Sequence, residues 1–267
     1  MAEFENRVAV VTGASGGLGR ALCDVLTKSG AKLVAFDRDE EALASMSLGD
    51  DAIVLAGDIT SDDDIDELTR QVTERFGRVD LLIHNAGVTH FSRFAESGPD
   101  VTARVMAINF TGAVRLTYAL LPLVTTARGT IVAVSSVAGF APLYARTGYA
   151  ASKHAMHGFF ESLRGELKDD GVHVLMVCPS YIATQNAAGH ANGADAGGVS
   201  RPGSATATAG KPLSAEFVAA KILAGARDRK RQLVIGRVAK LSWFVSRLLP
   251  SFFEKKMLEN TIAELDD

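Results

Sequence analysis

The chain alternates short apolar runs with longer amphipathic stretches from its first residues onward. Arg7 to Thr12 (RVAVVT), Lys32 to Phe36 (KLVAF), Ala52 to Ala56 (AIVLA), Val79 to His84 (VDLLIH), Thr130 to Ser135 (TIVAVS) and Val172 to Cys178 (VHVLMVC) are the predicted strands. Most are continuously apolar rather than alternating, the pattern of parallel strands covered on both faces. Between the first two, Leu18, Leu22, Val25 and Leu26 share one helical face and Gly30 supplies the stop. Asp62-Asp63-Asp64 opens another helix, because carboxylates suit the positive end of a helix dipole. Strand–helix alternation of this kind predicts an α/β fold with one doubly wound parallel sheet and helices on both faces. Such sheets bind ligands beyond the carboxyl ends of their strands, so the chemistry is expected there.

Two segments break the rhythm. Asn186 to Lys211 is rich in Gly, Ala, Ser and Thr; it is either a linker or a mobile lid, and its place after a strand end favours the lid. In Val238 to Met257, Trp243, Phe244, Leu248, Leu249, Phe252 and Phe253 form an apolar cluster interrupted by Pro250 and flanked by basic residues. Three readings are open for it: a helix pair closing a pocket, a subunit interface, or an interfacial membrane contact. The organisation expected is therefore one unit over residues 1–236, including the lid at 186–211, followed by a basic, aromatic helical extension at 237–267.

Composition narrows the function. The 28 Lys and Arg against 31 Asp and Glu leave 267 residues at −3, without the basic excess of a nucleic-acid-binding domain. That balance hides an asymmetry. From Arg227 to Lys256 nine Lys and Arg face two acidic residues, a local +7, which leaves −10 on the rest. Two cysteines, Cys23 and Cys178, make no disulfide framework, and no His/Cys cluster has metal-ligand spacing. The N-terminus is acidic and lacks an apolar signal core, and no uninterrupted apolar run approaches the ~20 residues of a spanning helix. A cytoplasmic chain is expected, with membrane association left open for residues 238–257.

After the first strand comes Thr12-Gly13-Ala14-Ser15-Gly16-Gly17-Leu18-Gly19, running into a helix. Glycines here allow a tight turn and close approach of a pyrophosphate to the backbone, with the helix N-terminus facing the anion. Asp37, at the end of the second strand, can accept hydrogen bonds from an adenosine ribose and would repel a 2′-phosphate, which favours NAD; Arg38 beside it keeps NADP open. Further on, Tyr149 and Lys153 stand four apart in a helical stretch, so the ammonium can lie near the phenol and draw it toward phenolate. That makes a usable general acid/base. Ser136, thirteen residues before Tyr149, ends a predicted strand on the same edge, where its hydroxyl can hold a carbonyl oxygen. Asn109 lies in a helical stretch; His84, His154 and His157 read as packing residues.

These motifs, in this order, resemble the short-chain dehydrogenase/reductase family over about residues 7 to 236, with its single Rossmann-like domain. Thr12 to Gly19 match the family's glycine motif, Asn85-Ala86-Gly87 its NAG, and Asn109, Ser136, Tyr149 and Lys153 its catalytic tetrad. The resemblance implies that Tyr149 exchanges the substrate proton and Ser136 positions the substrate oxygen. Lys153 would lower the tyrosine's pKa and bind the nicotinamide ribose, and Asn109 would hold a relay water. Cofactor contacts are implied for Gly13, Ser15, Gly16, Gly17, Leu18, Gly19, Asp37, Asp58, Ile59, Asn85, Ala86, Gly87, Tyr149, Lys153, Pro179, Ile182 and Thr184. Ser180 departs from the family's usual glycine after Pro179, and a positive φ there would strain a serine.

The expected function is hydride transfer between NAD, or NADP, and a secondary alcohol or ketone, on an apolar substrate such as a steroid or lipid ketone. The alternative is a non-catalytic sensor of the same nucleotide, since fold does not fix function. By resemblance the chain forms a homodimer or homotetramer through the helices carrying Asn109 and Tyr149, where Leu116, Leu120, Phe159 and Phe160 either serve the contact or simply cover the sheet.

Overall fold

The computed structural model describes residues 4–183 and 212–266, with side chains to residue 260. The lid segment 186–211 and Thr184 lie outside the described residues. Seven strands form one parallel sheet in the order β3-β2-β1-β4-β5-β6-β9: β1 Val8–Thr12, β2 Lys32–Asp37, β3 Ile53–Ala56, β4 Leu81–His84, β5 Thr130–Val134, β6 His173–Pro179 and β9 Gln232–Ile235. A two-residue pair, β7 Ile182–Ala183 with β8 Leu213–Ser214, stands beside it. The six predicted strands are present, with ends that differ from the prediction by one or two residues. The seventh was missed because Gln-Leu-Val-Ile is short, edges the sheet and follows the charged run Arg229-Lys230-Arg231.

The helices are α1 Gly17–Lys28, α2 Glu40–Ala44, α3 Asp62–Phe76, α4 Phe94–Met106, α5 Gly112–Ala127, α6 Thr147–Glu166, α7 Ala215–Arg227, α8 Arg237–Leu248 and α9 Pro250–Asp266. Leu18, Leu22 and Leu26 of α1 bury against one face of the sheet together with Val218, Ile222 and Leu223 of α7. Leu68 of α3, Leu116 and Leu120 of α5 and Phe160 of α6 cover the other face. Helix α3 starts where the acidic triplet places it, with the Ser61 hydroxyl accepting from the Asp64 N–H at 3.2 Å. Of the two roles open to Leu116, Leu120 and Phe160, burial leaves the covering of the sheet and removes the subunit contact. They are fully occupied by the sheet, and the outward aromatic on α5 is Tyr118, 83% exposed.

Helices α4 and α5 join through a π-helical turn, Ala107–Thr111, in which one extra residue widens the backbone and turns Asn109 inward. The continuous stretch Phe94–Ala127 is long and apolar enough to cross a bilayer by length and composition alone. Here Val101, Val105, Ala113, Leu116, Leu120 and Val124 are packed inside the protein.

β1 lies between β2 and β4, so the connections leave it in opposite directions. This reversal opens a crevice at the carboxyl ends, next to Thr12, Asp37 and His84. His84 is buried, with Nε2 2.7 Å from the Thr117 hydroxyl, and burial brings its pKa down to about 3. The unfolded chain takes up a proton near 6.5 that the folded chain refuses until about 3, so stability falls as pH drops through that window. One such group contributes a slope of about 1.4 kcal/mol per pH unit. Melting curves should therefore fall more gently for His84→Gln than for the wild type between about pH 6.5 and 4. Parallel curves would show that this histidine carries no acid sensitivity.

Candidate active site

The glycine turn builds the crevice floor. Gly13 has φ +64°, and a Cβ there would sit 2.8 Å from Ala86 Cα, so only glycine lets the turn lie against the Asn85-Ala86-Gly87 segment. The contact is pinned from both sides. The Asn85 amide donates to the carbonyls of Thr12 (3.1 Å) and Gly13 (2.9 Å), while the Thr12 hydroxyl accepts from the N–H groups of Asn85 and Ala86. Gly19 works differently: its Cβ would fall 2.0 Å from the Gly13 carbonyl oxygen, so it lets α1 press onto the turn.

A cavity of about 230 Å³ opens above this floor, lined by Gly13, Gly16, Gly17, Leu18, Asp37, Asp58, Ile59, Asn85, Ala86 and Gly87 among the expected residues. Arg38, the residue that keeps NADP open, lines it too, together with Phe36, Gly57, Val88 and Ile108, which sequence reasoning did not single out. Ser15 and Gly19 lie off this wall. The Ser15 N–H donates to Asp37 Oδ2 at 2.9 Å, so it fixes the carboxylate that faces the cavity. Asp37 Oδ1 accepts from the Asp39 N–H at 3.3 Å. Helix α1 begins at the cavity, with no side-chain cap at Gly16 and no acidic residue in its first turn. Its N–H groups are thus left for an anion, which suits a dinucleotide pyrophosphate.

Gly87 leads from the cavity to the second cluster: a Cβ there would lie 3.2 Å from Asn109 Oδ1 and 3.6 Å from Lys153 Nζ. Asn109 is buried; its Oδ1 accepts from the Val88 N–H (2.7 Å), and its Nδ2 donates to the Val88 carbonyl (2.9 Å) and the Ser152 hydroxyl (3.0 Å). Ser152, unmarked in the sequence, also donates to the Tyr149 carbonyl at 2.8 Å and so ties α4–α5 to α6. The Ser136 hydroxyl is near enough to the Tyr149 phenol to act on its pKa, and the tyrosine packs with Val88, Val101 and Val105. All four tetrad residues meet in one place.

The electrostatics differ from the expectation in one respect. Lys153 Nζ donates to the Val134 carbonyl at 2.9 Å and lies 5.7 Å from the centre of the Tyr149 ring. Burial lowers its pKa to about 8. Tyr149 is pushed above its ordinary value by burial, and the opposing influences come from the Ser136 hydroxyl and the Arg146 guanidinium. Arg146 in turn is held by the Thr89 hydroxyl (2.7 Å) and lies over the Phe91 ring (5.0 Å). The i,i+4 spacing does bring Lys153 beside the phenol, and Arg146 is a further cation that draws it toward phenolate.

Ser180 is not strained. Its φ is negative, its N–H donates to the Ile235 carbonyl at 2.9 Å, and the room for its hydroxyl comes from Gly236, where a Cβ would lie 2.4 Å away. Pro179 ends β6 and Ile182 stands in β7, both at the carboxyl edge. Cys23 and Cys178 are buried free thiols, and burial pushes each up to about 12. Among the described residues no group of His, Cys, Asp and Glu could hold a metal ion.

A family model described as short chain dehydrogenase matches residues 7–194. Dehydrogenase/reductase SDR family member 7B of Bos taurus is 35% identical over 276 aligned residues, which cover 98% of this chain and 84% of that protein. Among solved structures, a short chain dehydrogenase/reductase from Burkholderia phymatum in complex with NAD superposes with TM-score 0.80 at 28% identity, covering 96% of this chain and 97% of that one. A short chain dehydrogenase from Burkholderia cenocepacia J2315 in complex with NADP gives TM-score 0.80 at 23% identity, over 96% and 98% of the two chains, a likeness of fold.

Proposed function

This chain belongs to the short-chain dehydrogenase/reductase family and is an NAD(P)-dependent oxidoreductase; from that premise we propose that it interconverts a secondary alcohol and a ketone on an apolar substrate. The carrying observation is the cluster of Asn109, Ser136, Tyr149 and Lys153 side chains beyond Gly87 from the nucleotide cavity. The nicotinamide, when bound, supplies or takes up the hydride. The phenol of Tyr149 gives its proton to the carbonyl oxygen in reduction and recovers it in oxidation. Ser136 donates to the same oxygen as negative charge grows on it. Asn109 is fully engaged with Val88 and Ser152, so its part is to hold α4–α5 and α6 in register around Tyr149, and Lys153 fills the neighbouring buried position. Valines at 88, 101 and 105 beside the phenol support an apolar substrate.

The pinned carboxylate of Asp37 on the cavity wall supports NAD over NADP, because it suits a ribose diol and opposes a 2′-phosphate. Like charges forced together cost several kcal/mol, so Asp37→Ser should raise kcat/KM with NADP by roughly tenfold or more and lower it with NAD. An unchanged cofactor ratio would remove Asp37 from that role. Incubating the purified chain with NADH and a panel of steroid, acyl and sugar ketones tests the reaction itself. Cofactor consumption with an apolar ketone is expected; nucleotide binding with no turnover on any ketone or alcohol would favour the sensor.

The same proposal takes residues 1–236 as the catalytic unit and 237–267 as a cap beside it, in a homo-oligomer working in the cytoplasm. Outward aromatic surface at Phe110, Tyr118 and Phe159 supports association through α5 and α6. The two unpaired thiols suit a reducing compartment.

A further inference from the structure

Helices α8 and α9 carry their large apolar residues on the outside. Ala239, Ser242 and Phe253 face inward and are buried, whereas Leu241, Phe244, Leu248, Leu249 and Phe252 are each more than half exposed. Positions 241, 244 and 248 are spaced three and four apart and make one stripe along α8, which Leu249 and Phe252 continue around the turn at Pro250. Exposed basic residues frame it: Arg237 at its start, Lys240 and Arg247 along one edge, Lys255 and Lys256 at its far end. Scattered exposed apolar residues need no explanation, but a contiguous row of Leu and Phe rimmed by cations does.

We propose that this face is a membrane-docking surface that seats the chain on an anionic lipid bilayer, with the apolar stripe in the acyl–headgroup boundary and the basic rim on lipid phosphates. Interfacial helices have this composition: bulky apolar residues on one side and Lys and Arg along the border. The charge distribution supplies the orientation. Five exposed cations, Arg237, Lys240, Arg247, Lys255 and Lys256, stand on this face against Glu254 and Glu259, an excess that draws it toward an anionic leaflet.

The location has a consequence for the reaction, one that rests on the apolar-substrate reading above. Helix α8 packs beside the short turn Val137–Gly139 that follows Ser136, and Arg247 joins them, its guanidinium carbon 4.2 Å from the Trp243 ring centre and 5.4 Å from that of Phe140. The docking face therefore flanks the substrate side of the site. A sparingly soluble ketone dissolved in the bilayer would reach Tyr149 from that side.

Flotation of the full-length chain with vesicles tests the docking without any assay of activity. At low salt the chain should float with phosphatidylcholine–phosphatidylglycerol vesicles, stay behind with pure phosphatidylcholine, and lose binding as salt is raised. Each Lys or Arg near an anionic leaflet is worth about 1 kcal/mol, or roughly fivefold in partitioning, so Lys240→Gln with Lys255→Gln should weaken binding about 30-fold. Phe244→Ser with Leu248→Ser should weaken it at least tenfold, since burying either side chain is worth about 1.5–3 kcal/mol. These exposed positions should leave the melting temperature and turnover of a water-soluble ketone unchanged. Three results would each overturn the proposal: no flotation at low salt, equal flotation on neutral vesicles, or self-association in sedimentation that the Phe244/Leu248 variant abolishes. Loss of the ketone reaction with flotation intact would refute the functional reading alone.

Discussion

Tyr149→Phe is expected to lower kcat by about 10²–10⁴-fold, the usual contribution of a positioned general acid or base, while nucleotide binding stays near wild type. The separation follows from the layout. Tyr149 packs with Val88, Val101 and Val105 beside Ser136, whereas the nucleotide cavity is closed by Gly13, Asp37, Asn85 and their neighbours. Loss of one hydroxyl removes the exchangeable proton and leaves the ring in its packing. The pH dependence has a definite sign. Burial holds the phenol above its ordinary pKa, so in the oxidation direction, which needs the deprotonated form, the rate should climb with pH into the alkaline range. Reduction should hold level and decline only at high pH. Arg146 opposes the effect of burial, so Arg146→Met should move the alkaline limb to still higher pH. Full turnover in Tyr149→Phe would mean that the proton comes from elsewhere.

Gly19→Ala should be the most damaging single methyl group in the chain. The added Cβ would lie 2.0 Å from the Gly13 carbonyl oxygen and 2.9 Å from two backbone atoms of Ala14. A flexible side chain could swing aside, but here the obstacle is main chain on a strand-to-helix turn. Overpacking of a well-packed site typically costs about 1–3 kcal/mol and occasionally more, and contact with rigid backbone belongs at the upper end. Relief requires α1 to move away from β1, which tilts the helix N-terminus off the cavity. Melting temperature and nucleotide affinity should therefore fall together, the affinity by about tenfold or more for each 1.4 kcal/mol of lost alignment. Gly16→Ala is the control, because the nearest atom to its Cβ would be 3.5 Å away. Equal behaviour of the two variants would contradict the close-packing role given to Gly19.

Much of the fold and the tetrad could be read from local pattern, because both are written in short segments. Continuous apolar strands at regular intervals identify a covered parallel sheet, and the glycine turn lies at the one connection where backbone must approach backbone. Tyr149 and Lys153 share a helix, so their nearness follows from the helical repeat. What the sequence left out depends on distant partners. The cavity wall at Phe36, Gly57, Val88 and Ile108 comes from four separate segments of the chain and has no motif of its own. Strand β9 hides behind a basic run because a short edge strand need not be continuously apolar. The part of Arg146 is hidden for the same reason, since it is held in place from the Thr89–Phe91 loop, distant in sequence. Leu116, Leu120 and Phe160 look equally suited to a subunit contact or to the sheet until the sheet's position is known.

The central claim is that this chain moves a hydride between a nicotinamide and a ketone carbon, with Tyr149 exchanging the proton. The most direct measurement is isotope transfer from nicotinamide-deuterated NADH to a ketone turned over by the purified protein, with the product examined by mass spectrometry and NMR. Deuterium on the carbinol carbon, a hydroxyl proton from solvent, and loss of product in Tyr149→Phe are the expected results. Product without the label, or labelled product made equally well without the tyrosine hydroxyl, would contradict the account.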